Sequence, residues 1–222
     1  MLQSTLNDLR YIRNQSSKLL KKISLDTFHS HKLKSVKQKD LLINFGCGEK
    51  TQENWINIDA SYNPNTYYYD LREKLPFQNG QVKHIHCEHF LEHLEFDLGQ
   101  SFLTECYRIL AENGTIRIIV PDAGKYLAAY LENQEDFFTK LVNLGGTQKP
   151  MKTRIEIINQ MFRMGGDHKF AWDYETLELY LKEAGFKDVQ KSVYGESETL
   201  FNIDGDDWWR IHESLYVNAS KM

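Results

Sequence analysis

The chain has 222 residues, 41% of them apolar and 26% charged, with a formal net charge of −4. This composition excludes a disordered or collagen-like chain, and the length suits one large domain or two small ones with a substantial core. Three cysteines, Cys47, Cys87 and Cys106, with no C-x-x-C pair among them, exclude a disulfide framework or a thiolate zinc cluster and point to a reducing, cytoplasmic setting.

No apolar run reaches the ~20 residues that a spanning helix needs, and the opening residues lack the apolar stretch of a signal peptide, so no stable membrane insertion is expected. Charge is unevenly placed: residues 1–40 hold nine Lys/Arg against three Asp, net +6, whereas residues 41–222 are net −10. In the basic arm, Leu2, Leu6, Leu9, Ile12, Leu19, Leu20 and Ile23 recur at helical spacing, so a helix is predicted over Leu2–Ile23, then a polar stretch from Ser24 to Asp40. Such an arm either covers the body or dimerises, or it touches an anionic membrane or nucleic acid, and the oligomeric state is open. From Leu41 the pattern predicts strands at Leu41–Phe45, Trp55–Asp59, Thr66–Tyr69, Val82–Cys87, Thr115–Val120, Lys187–Val193 and Glu213–Ala219. Helices are predicted at Asp97–Leu110, Ala123–Leu131, Phe137–Leu144, Lys152–Met164 and Tyr174–Ala184, the last closed by Gly185. Alternating strands and helices imply a mostly parallel sheet covered on both faces, and the last two strands, joined by a loop, imply one antiparallel strand at its end.

The first strand runs into Gly46-Cys47-Gly48, where glycines let the backbone turn tightly and approach a ligand. The third glycine of a pyrophosphate cradle is missing, Lys50 standing nearby, and the strand-ending acid, Asp59, follows Gly48 too soon for a dinucleotide fold. A ligand without phosphate, its ribose hydroxyls taken by a carboxylate, suits these residues better.

Taken in order, these segments resemble the class I S-adenosylmethionine-dependent methyltransferases, in particular the small type-11-like enzymes often linked to polysaccharide and cell-surface biosynthesis. Asn44-Phe45-Gly46-Cys47-Gly48 resembles their glycine-rich first motif, and Trp55-Ile56-Asn57-Ile58-Asp59 the strand whose acid holds the ribose. Asp70-Leu71 with Leu75-Pro76-Phe77 resembles the segment whose acid lies near adenine. His89-Phe90-Leu91-Glu92-His93-Leu94 resembles the segment after the fourth strand, and Arg108-Ile109-Leu110 through Gly114, then Ile118 to Asp122, the helix, turn and fifth strand. The departures are Asn44 for an acid, Lys50 for a glycine, and Glu112-Asn113 for Pro-Gly. The resemblance implies an α/β, Rossmann-like seven-stranded, mostly parallel sheet with one antiparallel strand over 41–222, preceded by the 1–40 arm. It implies S-adenosylmethionine as cofactor, held by Gly46, Cys47, Gly48, Asp59, Asp70 and Glu88. The acceptor expected is a small or glycan-like hydroxylated molecule, with the helical stretch at about 122–172 as a substrate-side insertion.

Four of the eight histidines, His84, His86, His89 and His93, fall within ten residues. His89 and His93, at i and i+4, would share one face of a helical turn. Read alone, His89-Phe90-Leu91-Glu92-His93 matches the inverted zincin pattern, but nothing around it has peptidase logic. The segment is also similar to the E-x-x-E-H of metal-dependent O-methyltransferases, with Asp167-His168-Lys169-Phe170-Ala171-Trp172 resembling a later segment of the RNA 2′-O-methyltransferases. That similarity implies a divalent metal on His89, Glu92, His93 and His168, polarising a hydroxyl. Without an ion, His89 and His168 are the candidate bases near the acceptor hydroxyl, His93 completing the set of candidate catalytic residues. The adjacent Trp208 and Trp209 would stack on a sugar or base face, or simply pack on the body. The acidic body argues against a bare nucleic-acid substrate. A non-catalytic binding or scaffold protein that keeps the fold is the alternative from another class.

Overall fold

The computed structural model describes residues 27–61, 63–196 and 203–222. The helix expected over Leu2–Ile23 lies outside the described residues. Residues 27–34 are helical (α1), not an irregular polar stretch. This helix carries few apolar residues, but it buries Leu33 against the body, and Gln81 Nε2 donates to the Val36 and Gln38 carbonyls just beyond it. Tertiary packing thus holds as a helix a segment whose periodicity is too polar to announce one.

Seven strands follow: β1 (Leu41–Phe45), β2 (Ile56–Asp59), β3 (Tyr67–Tyr68), β4 (Val82–Glu88), β5 (Leu110–Pro121), β6 (Lys187–Ser192) and β7 (Ser214–Ser220). They form one sheet in the order β3-β2-β1-β4-β5-β7-β6. Only β7 runs antiparallel to its neighbours, so the antiparallel strand expected at the end of the sheet sits one place inside its edge. Central β1 has Ile43, Asn44 and Phe45 buried in succession, which places its alternating side chains in the interior on both sides of the sheet. Strand β5 begins at Leu110, earlier than Thr115, because Leu110 already pairs with Val82 across a register shift and Asn113 takes a left-handed turn within it.

The helices are α2 (Phe96–Ile109), α3 (Ala123–Leu131), α4 (Glu135–Asn143), α5 (Arg154–Arg163), α6 (Tyr174–Ala184) and α7 (Trp208–Glu213). The amphipathic α2 buries Phe102, Leu103, Cys106 and Ile109 in the sheet core, beside Leu177 and Leu181 of α6 and the fully buried Trp172. Gly185 caps α6 with left-handed φ, as its position after the last apolar repeat requires. Helices α3, α4 and α5 gather around a second apolar cluster of Tyr126, Phe138, Leu141, Ile157, Ile158 and Met161. The connection from β6 to β7 contains the six-residue α7, where only a loop was expected, and Glu213 ends that helix instead of opening the strand.

Candidate functional site

Phe45 pairs with Ile58 on β2 and Cys87 on β4, so Gly46, Asp59 and Glu88 emerge together at the carboxyl end of the sheet. Strands β2 and β3 continue from β1 to one side, β4 and β5 to the other. This reversal is the switch point at which open α/β sheets leave a crevice for ligand. A cleft of about 450 Å³ opens there, lined among others by Asn44, Gly46, Cys47, Gly48, Asp59 and Glu88.

Gly46 sits at φ 63°. A Cβ added there would lie 2.4 Å from Phe90 Cβ, so the position needs glycine both for its backbone and for its space. Gly48 also has positive φ, but a Cβ there would meet nothing within 4 Å and would point into open space. The Gly48 N–H donates to Asp59 Oδ2 at 2.9 Å, which ties the turn to the end of β2, while Asp59 Oδ1 accepts from Ser61 N–H and Oγ. Asn44, the departure from the usual acid, donates its amide to the Lys50 carbonyl and to Asn57 Oδ1. It therefore pins the 47–52 turn. Burial pushes the Cys47 thiol up to about 11, Thr66 Oγ1 lying 3.7 Å from its sulfur. Cys47 lines the cleft.

Beyond β4 the chain does not form the helical face expected of His89 and His93. His89 takes a left-handed backbone (φ 49°), and a 3₁₀ turn follows at Leu91–His93. His89 Nε2 lies 2.8 Å from Ser214 Oγ, and its Nδ1 is 3.4 Å from Glu92 Oε1, a contact without hydrogen-bond geometry. The Lys169 N–H donates to the Glu92 carbonyl at 2.8 Å, which docks the 167–170 segment on the turn. His93 and His168 are thereby brought face to edge, ring centres 5.0 Å apart.

Each of these two rings has Nδ1 near a backbone carbonyl, His168 on Met161 at 2.5 Å and His93 on Asp167 at 3.3 Å. A carbonyl only accepts, so Nδ1 carries a proton in each ring. Burial pushes His168 below the ordinary imidazole range, more than its hydrogen bond raises it, so the ring is neutral at pH 7. Glu92 is buried, and neither of its carboxylate oxygens has a hydrogen-bond partner among the described residues. Burial disfavours its ionised form, but the His89 and His93 imidazoles outweigh that effect and keep it a carboxylate.

One ligand atom each from Glu92, His93 and His168 lies within 4.8 Å of the others. The roughly 3.4 Å edge of a tetrahedron with bonds of about 2.1 Å is shorter, a difference that small side-chain rotations would close. An orphaned carboxylate beside two imidazoles, each with its outer N–H on a carbonyl, is a donor set that fits a divalent transition ion. His89, the fourth expected ligand, lies outside this trio and faces Ser214.

A second cavity of about 230 Å³ adjoins the cleft, and His89 lines both. Pro121, Tyr126, Gly146, Met161, His168, Trp209 and Glu213 form much of its wall. Tyr126 donates its hydroxyl to Glu213, whose carboxyl is raised by burial. Trp209 meets His89 edge-on, whereas Trp208 is exposed.

Of the described acids between β6 and β7, Asp204 and Asp207 pair with cations of the body. Asp204 makes a two-pronged ion pair with buried Arg117, at 2.6 and 2.5 Å. Asp207 Oδ2 lies 2.5 Å from Lys50 Nζ, and Glu88 accepts from Gly205 N–H at 2.7 Å and from Arg210 Nη1 at 2.9 Å. Burial would raise the Glu88 carboxyl, but His86, Gly205 and Arg210 more than reverse this and hold it far below the usual range. Ile203 and Arg210 thus wall the cleft. Asp70 is not among the lining residues and is clasped by Arg72 at 2.8 and 2.5 Å.

A family model described as a methyltransferase domain matches residues 45–118, from the end of β1 through most of β5. Among solved structures, the chain is similar to an S-adenosylmethionine-dependent methyltransferase of Archaeoglobus fulgidus (17% identity, TM-score 0.52, covering 90% of this chain and 94% of that one). It also aligns with an S-adenosylmethionine-dependent methyltransferase of Thermotoga maritima at 12% identity and TM-score 0.46, covering 96% and 97% of the two chains. Phosphoethanolamine N-methyltransferase 2 of Haemonchus contortus, in complex with S-adenosyl-L-methionine, aligns at 10% identity and TM-score 0.46, over 86% and 50%. No curated protein matches the chain.

Proposed function

We propose that the chain is an S-adenosylmethionine-dependent methyltransferase that O-methylates a small or glycan-like hydroxylated acceptor, a reading supported by the methyltransferase-domain match over residues 45–118 and by the fold shared with the Archaeoglobus fulgidus structure. The carrying observation is that the donor cleft and the second cavity adjoin at His89, with Glu92, His93 and His168 beside that junction. In this reading Gly46, Cys47 and Gly48 form the floor under the donor, Asp59 takes the ribose hydroxyls, and Glu88 faces its amino-acid end. The acceptor occupies the second cavity, under the roof of the 122–172 insertion. Asp70, clasped by Arg72, is left without a role at the donor.

Methyl transfer is an in-line displacement. An acceptor oxygen forms a bond to the methyl carbon as the sulfur–carbon bond breaks, and the sulfonium becomes a neutral thioether. The protein's main task is therefore alignment. The hydroxyl proton passes to an imidazole, and neutral His168, with a free Nε2, suits that role, His93 and His89 being the other candidates. Alternatively, Glu92, His93 and His168 would hold a divalent transition ion that would supply Lewis-acid polarisation of an acceptor oxygen, their lone pairs then being taken and His89 the imidazole left as base. Three free cysteines, all buried, support a cytoplasmic setting, and no helix among the described residues is long and apolar enough to cross a membrane.

Calorimetry is expected to detect S-adenosylmethionine binding and its loss in Asp59→Ala. No binding of the donor or of S-adenosylhomocysteine at millimolar concentration would leave the scaffold alternative. Labelled-methyl incorporation into hydroxylated glycans is the assay for the acceptor, and a product methylated only on nitrogen overturns the O-methyl assignment. Elemental analysis should find near-stoichiometric metal in the purified protein and little in His93→Ala. Absence of metal in the wild type together with no activation by divalent ions removes the ion and leaves the imidazole base.

A further inference from the structure

S-adenosylmethionine ends in a zwitterion, an ammonium and a carboxylate on one carbon. A buried carboxylate of this kind needs a cationic, multiply donating partner. Two basic side chains, Lys50 and Arg210, line the donor cleft. Lys50 is committed to Asp207 at 2.5 Å. Arg210 uses Nη1 on Glu88, while its buried Nε makes no hydrogen bond to a described residue, Asp207 lying 3.4 Å away. Its guanidinium also rests over the Trp209 ring, 5.1 Å from the centroid, so its plane is held.

Position favours the same residue. Asp59 ends β2 and Glu88 ends β4, with β1 between them, so the two carboxylates stand about two strand spacings, roughly 10 Å, apart across the glycine turn. A donor with its ribose at Asp59 and its sulfonium near the His89 junction carries its amino-acid end toward Glu88 and Arg210. Asn44, whose amide is spent on the 47–52 turn, offers that end no charge.

We propose that Arg210, carried by α7 near the end of the chain, binds the carboxylate of the methyl donor, with Glu88 beside it taking the ammonium. This inference rests on the methyl-donor reading of the cleft. The pair would then set selectivity for ligands that keep the amino-acid end over the truncated nucleoside.

Binding of S-adenosylhomocysteine and of 5′-methylthioadenosine, which lacks the amino-acid end, to the full chain tests this by calorimetry. Arg210→Met should weaken S-adenosylhomocysteine by about 10- to 100-fold and methylthioadenosine by less than about twofold, with Arg210→Lys in between. Glu88→Gln combined with Arg210→Met, which avoids an unpaired carboxylate, should show the same selective loss. Equal weakening of both ligands, or no weakening of either, overturns the assignment. If the wild type binds neither ligand, the methyl-donor reading fails and this inference falls with it. Methylthioadenosine binding without any preference for S-adenosylhomocysteine sinks the inference alone.

Discussion

Two glycines of the first turn show how a single Cβ separates folding from binding. At Gly46 an added methyl would pay for left-handed backbone and for collision with the Phe90 side chain. Gly46→Ala is therefore expected to cost about 2–4 kcal/mol, measured by urea unfolding. Gly48→Ala pays for the backbone alone, about 1 kcal/mol, but places its methyl in the open at the cleft, so it should weaken donor binding more than it weakens the fold. Similar losses of stability in both variants would mean that Phe90 yields. Both glycines, and Asp59, were legible as types at a spacing. Their opposite consequences were not, because the approach of Phe90 depends on a segment 44 residues further along the chain, its backbone set by the left-handed His89 before it.

At the scale of elements, Arg108 shows why one motif residue was readable before its purpose was. It grips Glu105 at 2.7 Å through Nε and again through Nη2, and its remaining donors reach the Leu75 and Phe77 carbonyls and Asn79 Oδ1. Glu105 also accepts from Leu75 N–H, so α2 is latched to the 75–79 segment. The Arg108 hydrogen bonds hold the Glu105 carboxyl below its ordinary range. A depressed carboxyl adds stability that is fully present above the unfolded value, about 4.3, and is lost as pH falls through the folded value. Glu105→Gln should accordingly cost about 1 kcal/mol at pH 7, since the pair is partly hydrated, with the gap from wild type closing below pH ~4. A gap that is independent of pH would assign the loss to shape instead of charge. Asp173→Ala, which removes the side-chain cap on the Thr176 N–H at the start of α6, should cost about 1 kcal/mol with little effect on donor affinity.

Strands and long helices were legible because burial imposes its period on the residues. β1 and α2 are examples. Helix α1 was not, since Lys and His dominate it and Leu33 is its one deeply buried apolar residue. Helix α7 was missed because six residues complete fewer than two turns, too short for a period. The histidine cluster was legible as a supply of ligands, but its division was set by backbone geometry. The left-handed turn at His89 sends that ring to Ser214 and leaves His93 to meet His168.

At the scale of the molecule, the described residues form two apolar centres, one on the sheet and one among α3, α4 and α5. A small separate core opens more easily than a large one. Ile158→Ala, which removes about 2–4 kcal/mol of packing, should speed amide exchange in α3–α5 while the amides of β1, β4 and β5 keep their protection. Uniform loss across both regions would mean that the two centres melt as one unit. The donor cleft follows a different geography. Its floor comes from the glycine turn near the front of the chain, whereas one wall, Ile203 and Arg210, comes from the stretch just ahead of the last strand. Gly205 closes so tightly on Glu88 and Lys50 that a Cβ there would lie 2.5 Å from the carboxylate. A ribosome makes these parts in that order, so a nascent chain that has already paired β1 with β4 still lacks a finished cleft. The cleft thereby gains its last wall late in synthesis, only in a chain translated past Arg210.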